Sequence, residues 1–434
     1  MRLTFASLLL ALAGCTPSNP ECDDFLRPPA VDKAAALPAE GIYPRGRRML
    51  YAGYSGVPAR DLANGFSVAG PAYGGGNESQ SAACEKAGLP HIVQISAFEG
   101  NTSGGWEAAA KIPLDEVRRR VTEAVQRHAK SKFAVMWAVQ PEELRPWRKD
   151  EMAYLKVVCE AIRAADPQDR PIFLYNPNHR DGNSLAPIAP LVDVVAKGCY
   201  ANGAGHKDNR AWIRWSIEQM RLAADKAGPG RQVLVMPELA RDPDPADRAR
   251  IETWVRHDVY LGLMSGADGM LLWSLFPRKE VKATWKEWYE AYARCGRELN
   301  GERTLGQVFL FGEPRSDLKV STVEPRRPYP LGSSVRNALE ANTTAPSEGK
   351  QGLLHPWTAY ERQLGSSHYL FVANSAPAAT TFRITGFPAR GIVAESAFDG
   401  TPVALPGAGQ VLELRLEPWE VRALRFSSEP KKSG

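Results

Sequence analysis

The chain has 434 residues, with 54 basic against 49 acidic side chains and a formal net charge of +5. That near balance, with no basic block ahead of Lys431 and Lys432, argues against a nucleic-acid partner. Six cysteines, widely spaced and never as CxxC, argue against a zinc knuckle or a disulfide scaffold, while one bridge outside the cytoplasm stays compatible with them.

The chain opens "MRLTFASLLLALAGC": one cation, Arg2, then an apolar run from Leu3 to Ala13, then Cys15. The run is too short to span a bilayer as a mature helix and reads as a signal peptide over residues 1–14. Its end, Leu12-Ala13-Gly14-Cys15, resembles a bacterial lipobox. The resemblance implies that Cys15 is lipidated and becomes the first mature residue. It also implies an extracytoplasmic protein held at the membrane through that lipid, with about 0.8 kcal/mol per buried CH₂. Thr16, rather than Asp, implies export to the outer membrane. An ordinary secretory signal with a chance cysteine is the alternative. Residues 15–47 carry many Pro, Asp and small residues, the composition of a tether.

From residue 48, strand-like and helix-like runs alternate. "RRMLYAGYS" is the first expected strand and "GFSVAGPAY" (65–73) the second. A short helix pattern, "SQSAACEKAG", precedes the third strand, 91–98. The helix "PLDEVRRRVTEAVQRHAK" follows, with Pro113 and two acids at its start. Residues 133–139 form the fourth strand, 170–179 the fifth, 191–203 the sixth, 231–240 the seventh and 268–276 the eighth, with amphipathic runs between them. Eight strands with helical crossovers match a (β/α)₈ TIM barrel over 48–305. A doubly wound sheet is the competitor, but "YAGYSGVP" has no Gly-rich phosphate turn, and "YGGGN" lacks the GxGxxG spacing. After 305 the period changes. "HYLFVANSAP", "TTFRITGF", "GIVAESAFDGTPVAL" and "QVLELRLEPWEVRALRF" are short strands broken by Gly, Pro, Asn and Asp, which predicts an antiparallel β-sandwich over 306–428 and a tail at 429–434.

Barrel active sites lie at the C-terminal ends of the strands. The polar residues there are Glu99 after the third strand and Gln140, Glu142 and Glu143 after the fourth. Asn176, Asn178 and His179 follow in the fifth, Tyr200, Asn202 and His206 in the sixth, Glu238 in the seventh and Trp273 in the eighth. Paired carboxylates suit attack on an acetal, and aromatic faces suit sugar rings. No His/Asp/Glu group has a convincing metal spacing, no cofactor motif is present, and no Ser sits in a GxSxG elbow.

A glutamate after the fourth strand, another after the seventh and a Trp at the end of the eighth resemble the retaining glycoside hydrolases often called clan A. "GFSVAGPAY…ACEKAGLPHIVQI" and "HYLFVANS…FDGTPVAL…LELRLEPWEVRALRF" look like parts of those barrels and of the sandwich appended to many of them. The resemblance implies a hydrolase acting on a polysaccharide or oligosaccharide, with Glu238 as nucleophile, Tyr200 beside it and Trp273 flooring the sugar subsite. It departs at the fourth strand. The family writes an acid before proline, whereas here Gln140 precedes Pro141, and an amide does not titrate. Either Glu142 takes the acid/base role, displaced by two residues, or Gln140 marks a non-catalytic glycan-binding or envelope-assembly lipoprotein on a degenerate barrel. In a third reading, Glu142 and Glu143 only favour the N-terminus of the next helix. Each candidate also has a plain alternative: Glu238 as a cap or ion-pair partner, Trp273 and Tyr200 as packing, His206 as a loop residue.

Overall fold

The structure is a computed structural model that describes residues 36–72, 77–98, 105–203, 205, 207–239, 241–330, 353–388, 392–406 and 409–428. Cys15, the signal and most of the tether, Glu99, His206 and the 429–434 tail therefore lie outside the described residues.

Seven parallel strands form the barrel wall: β1 (Leu50–Gly53), β2 (His91–Ile95), β3 (Ala134–Val139), β4 (Ile172–Asn176), β5 (Val194–Gly198), β6 (Gln232–Met236) and β7 (Gly269–Leu272). Their order is β1-β7-β6-β5-β4-β3-β2. The strands are buried along their whole length, save Val135 in β3, because helices cover the outside and side chains fill the inside.

The second expected strand, 65–73, is not a regular strand. It is an irregular stave that closes the ring between β1 and β2. Ser67 N–H donates to the Tyr51 carbonyl at 2.9 Å, and Ile92 N–H donates to the Ala69 carbonyl at 2.9 Å. Gly70 and Pro71 break the ladder. A Cβ on Gly70 would lie 2.3 Å from the Gly53 carbonyl oxygen, so the two backbones touch there, and Pro71 has no N–H to donate.

The helices are α1 (Pro58–Ala63), α2 (Asn77–Ala87), α3 (Trp106–Ala109), α4 (Leu114–His128), α5 (Lys149–Ala165), α6 (Gly182–Leu185), α7 (Trp212–Ala227), α8 (Ile251–Met264), α9 (Trp285–Asn300) and α10 (Leu305–Phe311). Asp150 and Glu151 occupy the first turn of α5. Glu142 and Glu143 precede that turn, so the reading of them as helix-dipole partners is corrected.

Beyond α10 come β8 (Glu313–Pro314), β9 (Lys319–Thr322), β10 (Tyr329–Pro330), β11 (Leu353–Leu354), β12 (Trp357–Leu364), β13 (Ser367–Asn374), β14 (Thr380–Thr385), β15 (Ile392–Ser396), β16 (Pro402–Val403), β17 (Leu412–Leu416) and β18 (Val421–Ser428). A six-stranded sheet, β16-β15-β18-β13-β12-β8, and a three-stranded one, β17-β14-β9, make the sandwich. Within β13 the alternation has two purposes. Leu370 and Val372 join the sandwich core with Phe382, Ile384 and Phe426, whereas Tyr369, Phe371 and Ala373 join the core of the barrel. The sandwich is thus docked by a continuous apolar face, and α8, covered on both sides, is buried almost throughout.

Tyr260 of α8 is the hub of that seam. Its ring lies 5.1 Å from Phe398, 6.0 Å from Phe309 and 6.1 Å from Phe371, and its hydroxyl donates to Glu298 at 2.9 Å. Tyr260→Ala is expected to cost about 3–5 kcal/mol, as removal of a large buried aromatic does. In a molecule of this size that lowers Tm by roughly 3–5 °C. Calorimetry checks it, and a shift below about 2 °C would mean that the seam is not a stabilising interface.

Candidate active site

Glu238 follows β6 by two residues, and its backbone bridges to Trp273 after β7, with Trp273 N–H donating to the Pro237 carbonyl at 3.0 Å. Its side chain is 5 % exposed. The carboxylate is received by backbone rather than by side chains. Asn202 N–H donates to Oε1, and Gly203 N–H reaches Oε1 at 2.9 Å and Oε2 at 3.0 Å. Only glycine permits this approach, since a Cβ at 203 would lie 2.7 Å from Oε2. Burial pushes the Glu238 carboxyl up to about 7, against the pull of the Gly203 amide, the Arg210 charge and the Asn202 amide.

On β3 the chain turns through a cis Gln140–Pro141 bond and places Glu142 in a second buried position, 7 % exposed. Its Oε1 accepts from the Tyr54 hydroxyl at 3.1 Å and from Gln140 Nε2 at 3.3 Å. Burial also pushes this carboxyl up to about 7; the two hydrogen bonds oppose the shift and the Glu143 charge adds to it. Glu143 adopts φ 61°, a left-handed conformation that costs a non-glycine residue about 1 kcal/mol. Arg180 secures that turn by donating to the Glu143 carbonyl at 3.2 Å.

Aromatic side chains join the two carboxyls. The Tyr54 and Trp273 rings meet edge to face at 5.3 Å. Tyr175 and Tyr200 stack at 6.4 Å with their hydroxyls hydrogen-bonded, and the charge of Glu142 acts on both. Gly203 completes the circuit, because its Cβ position lies 3.4 Å from the Tyr200 Cβ as well as against Glu238. The C-terminal rim of the barrel therefore gathers Glu142, Tyr54, Trp273, Glu238 and Tyr200 into one chain of contacts, with Trp273 and Tyr200 part-exposed. One acid rests among side chains and the other on backbone amides. Two carboxyls so placed can pass a proton and hold a cationic centre.

Among solved structures, an α-amylase from Anoxybacillus superposes with a TM-score of 0.50 at 8 % identity, over 86 % of this chain and 89 % of that one. The fold is that of the barrel glycoside hydrolases. An α-amylase from Geobacillus thermoleovorans complexed with acarbose has a TM-score of 0.49 at 8 % identity, over 88 % of this chain and 99 % of that one. A β-L-arabinopyranosidase from Geobacillus stearothermophilus has 0.48 at 9 %, over 89 % and 98 %. No protein-family model and no curated protein matches the sequence. The Anoxybacillus enzyme shares this fold over most of both chains, as the sequence resemblance implied.

Within the barrel glycosidase frame, Asn176 sits at the end of β4 but commits its amide to the sheet. Nδ2 donates to the Leu174 and Ala196 carbonyls and Oδ1 accepts from Arg180 at 3.1 Å. The Tyr200 hydroxyl is engaged with Tyr175. Tyr54, Tyr175 and Arg210 escaped the sequence reading. The tyrosines sit at strand ends where an aromatic reads as core, and only their place after β1 and within β4 could have signalled them.

For metals, the described residues hold one group whose ligand atoms come within 4.8 Å of one another: Asp317, Glu361 and His368 in the sandwich. Glu361 there accepts from the amides of Asp317 and Leu318 and pairs with His368 at 2.8 Å, while Asp317 is forked by Arg315. That network is closed without an ion. A groove of about 1360 Å³ between α8, α9 and the sandwich is lined by already paired charges such as Arg294–Glu252 and Arg422–Glu420. The four described free cysteines are all buried, and no described helix is long and apolar enough to cross a membrane.

Proposed function

We propose that this protein is a glycoside hydrolase of the cell envelope, anchored by a lipid at Cys15, that cleaves glycosidic bonds with Glu238 and Glu142. The observation that carries the reading is the pair of buried glutamates, each raised to about 7, at the ends of β6 and β3 around one set of aromatic rings. Glu142, protonated, gives its proton to the leaving glycosidic oxygen as the C–O bond breaks. The Glu238 carboxylate attacks the anomeric carbon and forms a glycosyl ester. Water then breaks the ester, giving its proton back to Glu142. Trp273 and Tyr200 offer the ring faces for the sugar.

The two carboxyls draw their shifts from separate neighbours: Gln140, Tyr54 and Glu143 for one, Gly203, Arg210, Asn202 and Asp258 for the other. Carboxylates about 5 Å apart raise each other strongly. A spacing of about 6.5–9.5 Å would instead leave room for a water between them, with Glu238 as the base of an inverting reaction. Anomeric NMR of the first product separates the two: retention supports the ester, inversion the water.

The test of the function itself is to incubate the purified protein with a panel of polysaccharides and oligosaccharides and assay new reducing ends. Binding without new ends would instead favour a glycan-binding lipoprotein, the outcome that Gln140 suggests. The activity is expected to peak sharply near pH 7. Turnover needs Glu238 ionised, which sets the acid limb, and Glu142 protonated, which sets the alkaline limb; with both near 7 only about a quarter of the free enzyme is productive at the optimum. A broad plateau in kcat/KM from pH 5 to 9 would contradict that assignment.

A further inference from the structure

Glu238 stands at the end of a buried line of hydrogen bonds that begins in the other domain. Ser375, directly after β13, lies 2.9 Å from His257 Nε2, and His257 Nδ1 lies 3.0 Å from Asp258 Oδ1. Arg210 grips Asp258 with a two-pronged fork, Nε at 2.9 Å from Oδ1 and Nη2 on Oδ2. Its third nitrogen, Nη1, donates to Asn202 Oδ1 at 2.9 Å. Asn202 then turns its backbone N–H, with that of Gly203, onto Glu238.

The order Ser375, His257, Asp258 is that of a nucleophilic triad, but its chemistry is closed to substrate. Ser375 and His257 have no exposed surface, Asp258 is 3 % exposed, and the aspartate is already held by a guanidinium. Burial lowers the His257 pKa, against the opposing pull of Asp258, so the ring is neutral. Nδ1–H donates to Asp258, leaving Nε2 to accept from the Ser375 hydroxyl. Four polar side chains have been taken out of water along one path, which is costly unless each is fully paired. The path ends on a single carboxylate.

We propose that the C-terminal sandwich is a working part of the active site: through His257, Asp258 and Arg210, Ser375 positions the Asn202–Gly203 backbone that aims Glu238. Arg210, Asp258 and Ser375 are positioning residues in this scheme, and Arg210 and Asp258 also set the field at the carboxylate. The charged and titratable groups near Glu238 include Arg210 from the loop before α7, Asp258 from α8, Tyr200 across Gly203, and Tyr292 from α9, whose hydroxyl donates to the Glu238 carbonyl at 3.0 Å. Arg210 pulls the carboxyl down and Asp258 lifts it. The scheme rests on Glu238 being the reacting acid, yet its test needs no substrate.

Glu side-chain carboxyls labelled with ¹³C can be titrated by NMR in the full chain, with Glu238 assigned by its absence from Glu238→Gln. Asp258→Asn removes the lifting charge and leaves the guanidinium, so the Glu238 midpoint is expected to fall. Should that variant fail to fold, Ser375→Ala remains, which strands no charge. It is expected to make the Asn202 and Gly203 amides exchange with deuterated water about three- to tenfold faster, the scale of one lost hydrogen bond, and Ser375→Thr should restore the wild-type rate. An unmoved midpoint in folded Asp258→Asn, or unchanged exchange in Ser375→Ala, overturns the proposal. Full activity of Glu238→Gln would remove the catalytic reading alone and leave these two measurements standing as a test of the linkage.

Discussion

Glu238→Gln is expected to lower kcat/KM on a cleaved glycan by about 10⁴ or more, the scale on which loss of a covalent nucleophile is felt. The substitution is nearly isosteric. Gln Oε1 can still accept from the Asn202 and Gly203 amides, so the loop keeps its seat while the negative charge and the second Gly203 contact, to Oε2, are lost. A stability measurement separates loss of chemistry from loss of fold. Glu238 has its folded pKa raised from 4.5 to about 7, so its contribution is fully present below pH 4.5 and lost as pH rises through about 7. The wild type should therefore lose up to about 3 kcal/mol from this group across that window, and Glu238→Gln should not. A variant that is inactive, folded and flatter in its pH–Tm profile matches the assignment. One that keeps more than about a tenth of wild-type activity removes Glu238 from the mechanism.

The place of Glu238 at the barrel rim was legible because it directly follows an apolar run and a proline, "QVLVMPEL". The strands themselves were legible for the same reason, since a wall buried on both faces writes continuous apolar runs. The second stave was not. "GFSVAGPAY" has strand composition, but Gly70 is there for a backbone contact with Gly53, and a close approach between distant segments leaves no local trace. Arg210 was equally hidden. It opens the amphipathic run "NRAWIRWSIEQMRLAADKAG", where a cation reads as the solvated face of a helix, and only the fold brings Asp258 and Asn202 to it. Tyr54 and Tyr175 failed in the opposite direction, as aromatics in strand-like runs that tertiary placement turns toward the carboxyls.

Gln140 was the hardest residue to read, and the geometry gives it a definite place. The family resemblance aligns it, before Pro141, with an acid, and its Nε2 donates to Glu142, the carboxyl two residues on. In the proposed reading the amide holds that place and Glu142, buried with Tyr54, carries a pKa of about 7 that suits a general acid near neutrality. Glu142→Gln is accordingly expected to cost about 10²–10⁴ in kcat/KM on a sugar–sugar bond, whose leaving oxygen must be protonated. On an aryl glycoside with an acidic phenol the loss should be much smaller, because that oxygen departs without a proton. The alkaline limb of the pH profile should vanish with the titrating group. In the retaining scheme azide should restore turnover, bonding to the anomeric carbon as the Glu238 ester bond breaks, since an anionic nucleophile needs no base. If Glu142→Gln instead weakens every substrate equally and keeps the alkaline limb, the proton comes from another group. Glu143, raised by burial and restrained by Arg180 on the same turn, is then the carboxyl to change next.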